Sequence, residues 1–282
     1  MDLGLRPDDR LVILGSSGWF GVEFTELLKR RECPAQILPV PGPSLGERVD
    51  HKNLVAFRPT VVVNFAFLTR ERMDVLGEEE YRRINGELTS RFLSLADSST
   101  VRLALTVSSG AAITDMQHPY GQMKAAEEER SIVLSQPSRH VVVLRAYSVS
   151  GGHVRRPQSY ALSDLILQAR QGHVRVQADR PVLRRYVWAQ DALEVALGGA
   201  ALGRVGILET GGELFELGDL ATRIVEVVEP SSEITRTQIV SEEPDSYYSD
   251  NRSWEEWASC THSEPLDIDE QIRQAAMVLL RK

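Results

Sequence analysis

The chain has 282 residues, of which 42% are hydrophobic and 26% charged. That ordinary globular mixture excludes collagen-like, low-complexity and largely disordered organisation. Forty acidic against thirty-two basic side chains leave a formal net charge of −8, the wrong sign for a surface built on nucleic acid or an anionic membrane, though compatible with a local basic pocket for a phosphate-bearing small molecule.

Along the chain, short β-branched runs alternate with amphipathic stretches, the pattern of a parallel sheet covered by helices. A first strand is expected at LVILG (11–15), followed by a helix over about 19–31 and a second strand at AQILPV (35–40). A third strand at TVVVNFA (60–66) precedes a helix over about 76–97, in which Ile84, Leu88, Phe92 and Leu95 fall along one side. VRLALTVSS (101–109) reads as the fourth strand, 120–135 as the next helix and HVVVLRAY (140–147) as the fifth strand. These strands are almost continuously apolar, as expected when both faces of a sheet are buried. After about residue 150 the loop GGHVRRPQ leads into a helix (YALSDLILQARQG), a short strand near RYVWA and a helix (QDALEVALGGAAL). A strand (VGILET) and two further helices (LGDLATRIVEVV and DIDEQIRQAAMVLL) complete the chain, which contains no internal repeat.

The loop between the first strand and first helix reads Gly15-Ser16-Ser17-Gly18-Trp19-Phe20-Gly21. Glycines at this spacing allow a tight turn, a close approach to a pyrophosphate and helix-on-strand packing, while the helix N-terminus offers free N–H groups to the phosphates. The expected fold is therefore α/β: a Rossmann-type doubly wound parallel sheet in residues 1–150 and a smaller mixed α/β substrate lobe in 151–282, with the chain free to cross back between them.

A second constellation is Tyr120-Gly121-Gln122-Met123-Lys124, which begins eleven residues after Ser109. Positions i and i+4 share a helix face, so Tyr120 and Lys124 can address one reacting centre. A free phenol, with a pKa of about 10, is a poor acid–base partner near neutrality. An ammonium about 4 Å away in an effective dielectric of about 20 would favour phenolate by about 4 kcal/mol before desolvation. Ser109 closes a buried strand, at the sheet end where open α/β folds place their ligands.

With these residues the sequence resembles the extended short-chain dehydrogenase/reductase family of NAD(P)-dependent nucleotide-sugar epimerases, dehydratases and reductases. PTVVVNFAFLT resembles its fourth-strand motif, with Asn64 and Ala66 beside the cofactor, and Asn85 in RRINGEL its next helix. TVSSGAA and PYGQMKAAEE resemble the active-site strand and helix, LRAYSVSGG the R-x-x-N-x-x-G segment, and RRYVWAQDALEV the Y-V-x-V-x-D segment. The ending YYSDNRSWEEW has the same cast.

The resemblance implies that Tyr120 exchanges the proton, Lys124 binds the nicotinamide ribose and tunes Tyr120, and Ser109 hydrogen-bonds the reacting oxygen. It implies that Gly15, Ser17, Gly18, Trp19, Phe20 and Gly21 surround the pyrophosphate, that Arg184 or Arg185 takes a substrate phosphate, and that the chain forms a homodimer.

Several departures narrow the reading. NAD enzymes of this fold usually carry an acid after the second strand, whereas LPVPGPS offers none and the next arginine is Arg48, so NAD and NADP both remain open. Ser148 stands in place of the family's asparagine, and Glu242 and Glu243 stand where a second clamping arginine would fall. Gly110-Ala111 follows Ser109, in place of the Asp-Glu, glutamate or cysteine that dehydratases, decarboxylating members and GDP-fucose-forming reductases carry. A ketoreductase acting on a nucleotide-linked keto-sugar is the leading expectation. An NAD-retaining C4-epimerase is the alternative, and a non-catalytic NAD(P)-sensing protein of the same fold the third reading.

Cys33 and Cys260 fit no metal-ligand or C-x-x-C spacing and read as reduced packing thiols, so no metal is expected. The acidic opening MDLGLRPDDR lacks an apolar signal region, and no run reaches the roughly 20 residues of a membrane helix. A cytoplasmic protein with a small-molecule substrate and no membrane or nucleic-acid partner is expected.

Overall fold

The computed structural model describes residues 3–42 and 51–281. The first apolar run forms β1 (Arg10–Leu14), which passes through Gly15 into α1 (Trp19–Arg30). Strand β2 (Gln36–Val40), helix α2 (His51–Ala56) and strand β3 (Val61–Asn64) follow. Helices α3 (Arg72–Leu76) and α4 (Glu78–Ala96) then lead to β4 (Leu103–Ser109). The helix expected over about 76–97 is α4; Gly77, at φ 79°, takes a backbone conformation that helices do not use and sets it off from the short α3. Helices α5 (Ala111–Thr114) and α6 (Pro119–Ile132) connect to β5 (His140–Ala146).

The later chain supplies β6 (Ser148–Ser150), α7 (Ala161–Arg170), β7 (His173–Val176), β8 (Val182–Trp188), α8 (Ala189–Ala201) and β9 (Gly206–Glu209). It ends with β10 (Glu213–Glu216), α9 (Leu217–Val228), β11 (Glu233–Arg236), β12 (Asp245–Tyr247), α10 (Arg252–Thr261) and α11 (Ile268–Leu279).

The large sheet is parallel throughout, in the order β2-β1-β3-β4-β5-β9. The strand order turns back between β1 and β3, so a crevice opens beyond their C-terminal ends. Alternation along each strand explains the continuous apolar runs. Leu11 and Ile13 join Phe24, Leu27, Ala196 and Trp257 on one face of the sheet, while Val12 and Leu14 join Leu88 and Phe92 on the other. Phe92 is fully buried; its truncation to alanine would cost about 3–5 kcal/mol.

Strand β9 returns to the edge of the large sheet, with Leu208 buried beside Leu144. A smaller sheet pairs β8 with β10, β12 and β6, and β7 pairs with β11. Leu162, Ile166, Ile224 and Ile272 form a separate core there. This is the Rossmann-type parallel sheet with a smaller mixed α/β part.

Candidate active site

Gly15 and Gly21 are glycines because backbone presses on backbone. Gly15 lies at φ 77°, and a Cβ there would stand 2.6 Å from Ala66 N; one on Gly21 would stand 2.3 Å from Gly15 O. Gly18 differs, since its Cβ would meet only Gly15 O, at 3.2 Å. It caps α1 without a side-chain acceptor, and the first turn carries no acid. The backbone amides of Trp19 and Phe20 have no acceptor among the described residues. The loop is therefore a cradle open to an anion, the feature a bound pyrophosphate needs.

Ser17 Oγ accepts from Gly42 N at 2.9 Å, tying the loop to the end of β2, and Ser17 O accepts from the Arg155 guanidinium. Arg155 thus brings a cation to the glycine loop from the segment after β6. Trp19 meets Tyr160 edge-on at 4.9 Å, and Phe20 stacks on Phe65 at 6.1 Å.

A small cavity beside the loop is lined by Leu14, Gly15, Val40, Pro41, Ala66, Leu88 and Arg91. Arg91, from α4, has no ion-pair or hydrogen-bond partner among the described residues. Pro43, Ser44 and Arg48, which bear on the choice between NAD and NADP, lie outside the described residues. A larger cavity of about 470 Å³, bordered by Gly4, Arg6, Arg102 and His140, lies at the opposite, N-terminal ends of β4 and β5, away from this chemistry.

Asn64 and Asn85 direct their side chains at protein. Asn64 Oδ1 accepts from Ala66 N at 3.1 Å, and its Nδ2 donates to Thr106 Oγ1 and Glu127 Oε1. Asn85 Oδ1 accepts from Leu68 N at 2.7 Å. Both hold the segment after β3 in shape and so support the crevice from behind.

Ser109 ends β4, and Tyr120 sits in the first turn of α6, where Pro119 supplies a preformed helical φ. His118 Nδ1 accepts from Tyr120 N at 3.0 Å. A Cβ on Gly121 would lie 2.2 Å from Asp115 O, so glycine lets the start of α6 press against the chain leaving β4. That approach brings Tyr120 to Ser109. Burial pushes the Tyr120 phenol above its ordinary value; a hydrogen bond with Ser109 opposes this, and the negative charges of Glu127 and Glu71 add to it.

The expected lowering of that phenol by Lys124 is therefore reversed. Lys124 is buried, and its Nζ donates to Val107 O at 2.8 Å and Glu127 Oε2 at 3.0 Å. The same ammonium lies 3.7 Å from the centre of the Phe67 ring. Its field is balanced by a neighbouring carboxylate that the sequence spacing did not single out.

Ser109 Oγ also lies 3.1 Å from Tyr247 Oη, and the Tyr247 ring packs on Tyr147 at 5.1 Å. Arg184 and Arg185 part to different neighbours, as adjacent strand residues do. Arg184 pairs with Asp245 at 3.0 Å and approaches the Tyr247 ring, whereas Arg185 donates to Gly212 O and Ser249 O and lies over Tyr248. Among the described residues Arg185 has no carboxylate at ion-pair distance. No cluster among them could hold a metal, and no helix is long and apolar enough to cross a membrane.

No family model and no curated protein matches the sequence. Solved structures do match along nearly the whole chain. A GDP-L-fucose synthetase from Naegleria fowleri superposes at TM-score 0.80 with 13% identity, over 99% of this chain and 95% of that one. RMD from Pseudomonas aeruginosa, complexed with NADPH, gives 0.75 and 17% over 99% and 100%. A UDP-glucose 4-epimerase from Thermus thermophilus, complexed with NAD, gives 0.72 and 20% over 96% and 99%. The chain shares the fold of these solved structures.

Within that fold, Ser109, Tyr120 and Lys124 gather at one end of the crevice and the glycine loop stands at α1. Sequence reasoning missed Glu127, Phe67, Tyr247, Arg155 and Arg91. Each reaches the crevice through packing between elements; Phe67, Glu127 and Tyr247 lie inside the NFAFLT, PYGQMKAAEE and YYSDNRSWEEW runs, but nothing in those runs marks them.

Proposed function

We propose that the chain is an NAD(P)-dependent oxidoreductase that reduces a keto-sugar, most plainly one linked to a nucleotide. The observation that carries this reading is the convergence at the C-terminal end of the sheet of Ser109, which ends β4, with Tyr120 and Lys124 of α6, both packed on Phe67. The open cradle at Gly18 fits the phosphates of a dinucleotide, which would lie at the amide-rich helix start. Reduced nicotinamide, when bound, supplies a hydride. Ser109 orients the carbonyl oxygen, and Tyr120 gives that oxygen its phenolic proton as the carbon is reduced to an alcohol. The phenolate then takes a proton back from water. Arg184 and Arg185 border the sugar-nucleotide end, and Arg185 is the better phosphate ligand because, unlike Arg184, it has no carboxylate at ion-pair distance among the described residues.

The likeness to a UDP-glucose 4-epimerase supports a second reading, a C4-epimerase. Net turnover separates the two. Purified protein is incubated with NADH or NADPH and a panel of nucleotide-linked keto-sugars. A reductase consumes reduced cofactor in proportion to the alcohol formed. Interconversion of epimers with no net consumption would replace the reductase reading by the epimerase one.

A further inference from the structure

The buried carboxylate of Glu127 has no part in the proton transfer just described, yet it lies under the reacting groups. It is fully buried, one helical turn beyond Lys124. Its Oε1 accepts from Thr106 Oγ1 at 2.7 Å and Asn64 Nδ2 at 3.0 Å, and its Oε2 accepts from Lys124 Nζ at 3.0 Å. The acceptor is thus fixed by β3 and β4 before the lysine arrives. Lys124 in turn has its protons directed to Glu127, to Val107 O and to the face of Phe67. A buried charge without such partners would be very costly, so neither member of this pair is free to leave alone.

We infer that Glu127 is a positioning residue, which holds the Lys124 ammonium in a closed buried pair and thereby sets Tyr120 to give a proton rather than to take one. The inference rests on the reading of Tyr120 as the proton-exchanging group. In the reduction direction a protonated phenol is the working form, whereas alcohol oxidation needs phenolate. An unbalanced ammonium on the same helix face would favour phenolate; the Glu127 carboxyl 3.0 Å from it offsets that bias.

The groups facing the phenol from every side agree. Lys124 and Glu127 share its helix, Glu71 faces it from the start of α3, and Tyr81, Tyr160 and Tyr247 surround it as neutral phenols. Of the cations on neighbouring elements, Arg70 is paired with Asp115, Arg82 with Glu78, and Arg145 with Glu128 and Glu209, whereas Arg156 acts on Tyr160. Burial and the net negative surroundings point the same way as the geometry.

The test is a titration of tyrosine ionisation by NMR of ring-labelled protein without cofactor, with Tyr120→Phe used to assign the resonance. In the unaltered protein Tyr120 should remain protonated beyond the range of a free phenol. Glu127→Gln keeps the volume and one acceptor oxygen but removes the charge. It should bring Tyr120 ionisation about 1–3 pH units lower, and Glu127→Asp should restore the original behaviour. An unshifted Tyr120 in a folded Glu127→Gln protein would overturn the inference. So would a Tyr120 that ionises below the free-phenol range in the unaltered protein, a measurement that needs no variant to fold. The titration is independent of turnover: a chain that reduces no keto-sugar but shows the shift keeps the role of Glu127 and loses the proposed reaction.

Discussion

Tyr247 Oη stands 3.1 Å from Ser109 Oγ, although the phenol comes from β12 of the smaller sheet and the serine ends β4 of the large one. The hydroxyl that would orient a substrate oxygen is already engaged. A net hydrogen bond of this kind is worth about 1 kcal/mol, so Tyr247→Phe should lower KM for a nucleotide-linked keto-sugar about fivefold with kcat little changed. Steady-state kinetics on both proteins decide it. A raised KM would mean that the phenol itself holds substrate.

The glycines of the first loop divide by what a side chain would meet. Gly18 has φ −74°, which any residue adopts, and its Cβ would contact only Gly15 O at 3.2 Å. Gly18→Val should therefore fold with a nearly unchanged melting temperature yet lose dinucleotide affinity by roughly 30–100-fold, about 2–3 kcal/mol. Gly21→Ala would put its methyl 2.3 Å from Gly15 O and 2.6 Å from Ser16 C. That overpacking should cost about 1–3 kcal/mol of stability. Calorimetry with NAD and NADP, alongside thermal melting, separates the two effects. Equal losses of stability in both variants would remove the phosphate role from Gly18.

These contrasts show which parts of the molecule were legible from residues alone. Strands buried on both faces announce themselves as unbroken apolar runs: β3, β4 and β5 fall within the expected segments, and β1 starts one residue before its own. Strands β11 and β12 carry no such signal, because Glu233–Arg236 is exposed throughout and Asp245–Tyr247 nearly so. The loop glycines and the Ser109, Tyr120 and Lys124 spacing were readable because each lies next to a strand end or on one helix. Tyr247 was not, since 138 residues separate it from Ser109. Glu127 belongs to a run of three glutamates in which Glu127 and Glu128 are buried and Glu129 exposed. No local pattern tells these apart; only the positions of Asn64, Thr106 and Arg145 do. The sign of the Tyr120 shift was misjudged for the same reason.

Asp191 offers a test of stability rather than chemistry. It is buried on α8, and its Oδ2 accepts from Leu266 N at 2.8 Å, joining that helix to the segment before α11. Burial pushes its carboxyl up to about 6; the Leu266 bond opposes this and Glu194 adds to it. A raised folded value means that the native state binds the proton more tightly. Stability therefore falls as pH rises from the ordinary 3.8 through the folded value, and the loss persists at neutrality. Asp191→Asn retains an acceptor for Leu266 and removes the charge. It should stabilise the protein at neutral pH by about 1–2 kcal/mol, raising the melting temperature by about 2–4 °C for each kcal/mol. The gain should vanish in acid. A gain that is the same at both pH values would point to packing instead of ionisation.

Tyr120 carries the reaction in the proposed reading, and its removal gives the sharpest outcome. Positioned acid–base groups typically contribute 10²–10⁴-fold, so Tyr120→Phe should lose roughly that much in kcat while dinucleotide affinity survives. The burial that raises the phenol also fixes the pH profile. A proton donor with a raised value stays protonated through neutrality and across the ordinary phenol range, so reduction should run on a plateau and decline only above about 10. The reverse oxidation should rise with pH over that same high range. Lys124→Met leaves Glu127 buried without its counter-charge, so it should depress stability as well as turnover, in contrast to the clean kinetic defect of Tyr120→Phe. Rapid-quench measurement of the chemical step, followed across pH, checks both variants. Undiminished chemistry in Tyr120→Phe would leave a dinucleotide fold whose proton comes from elsewhere.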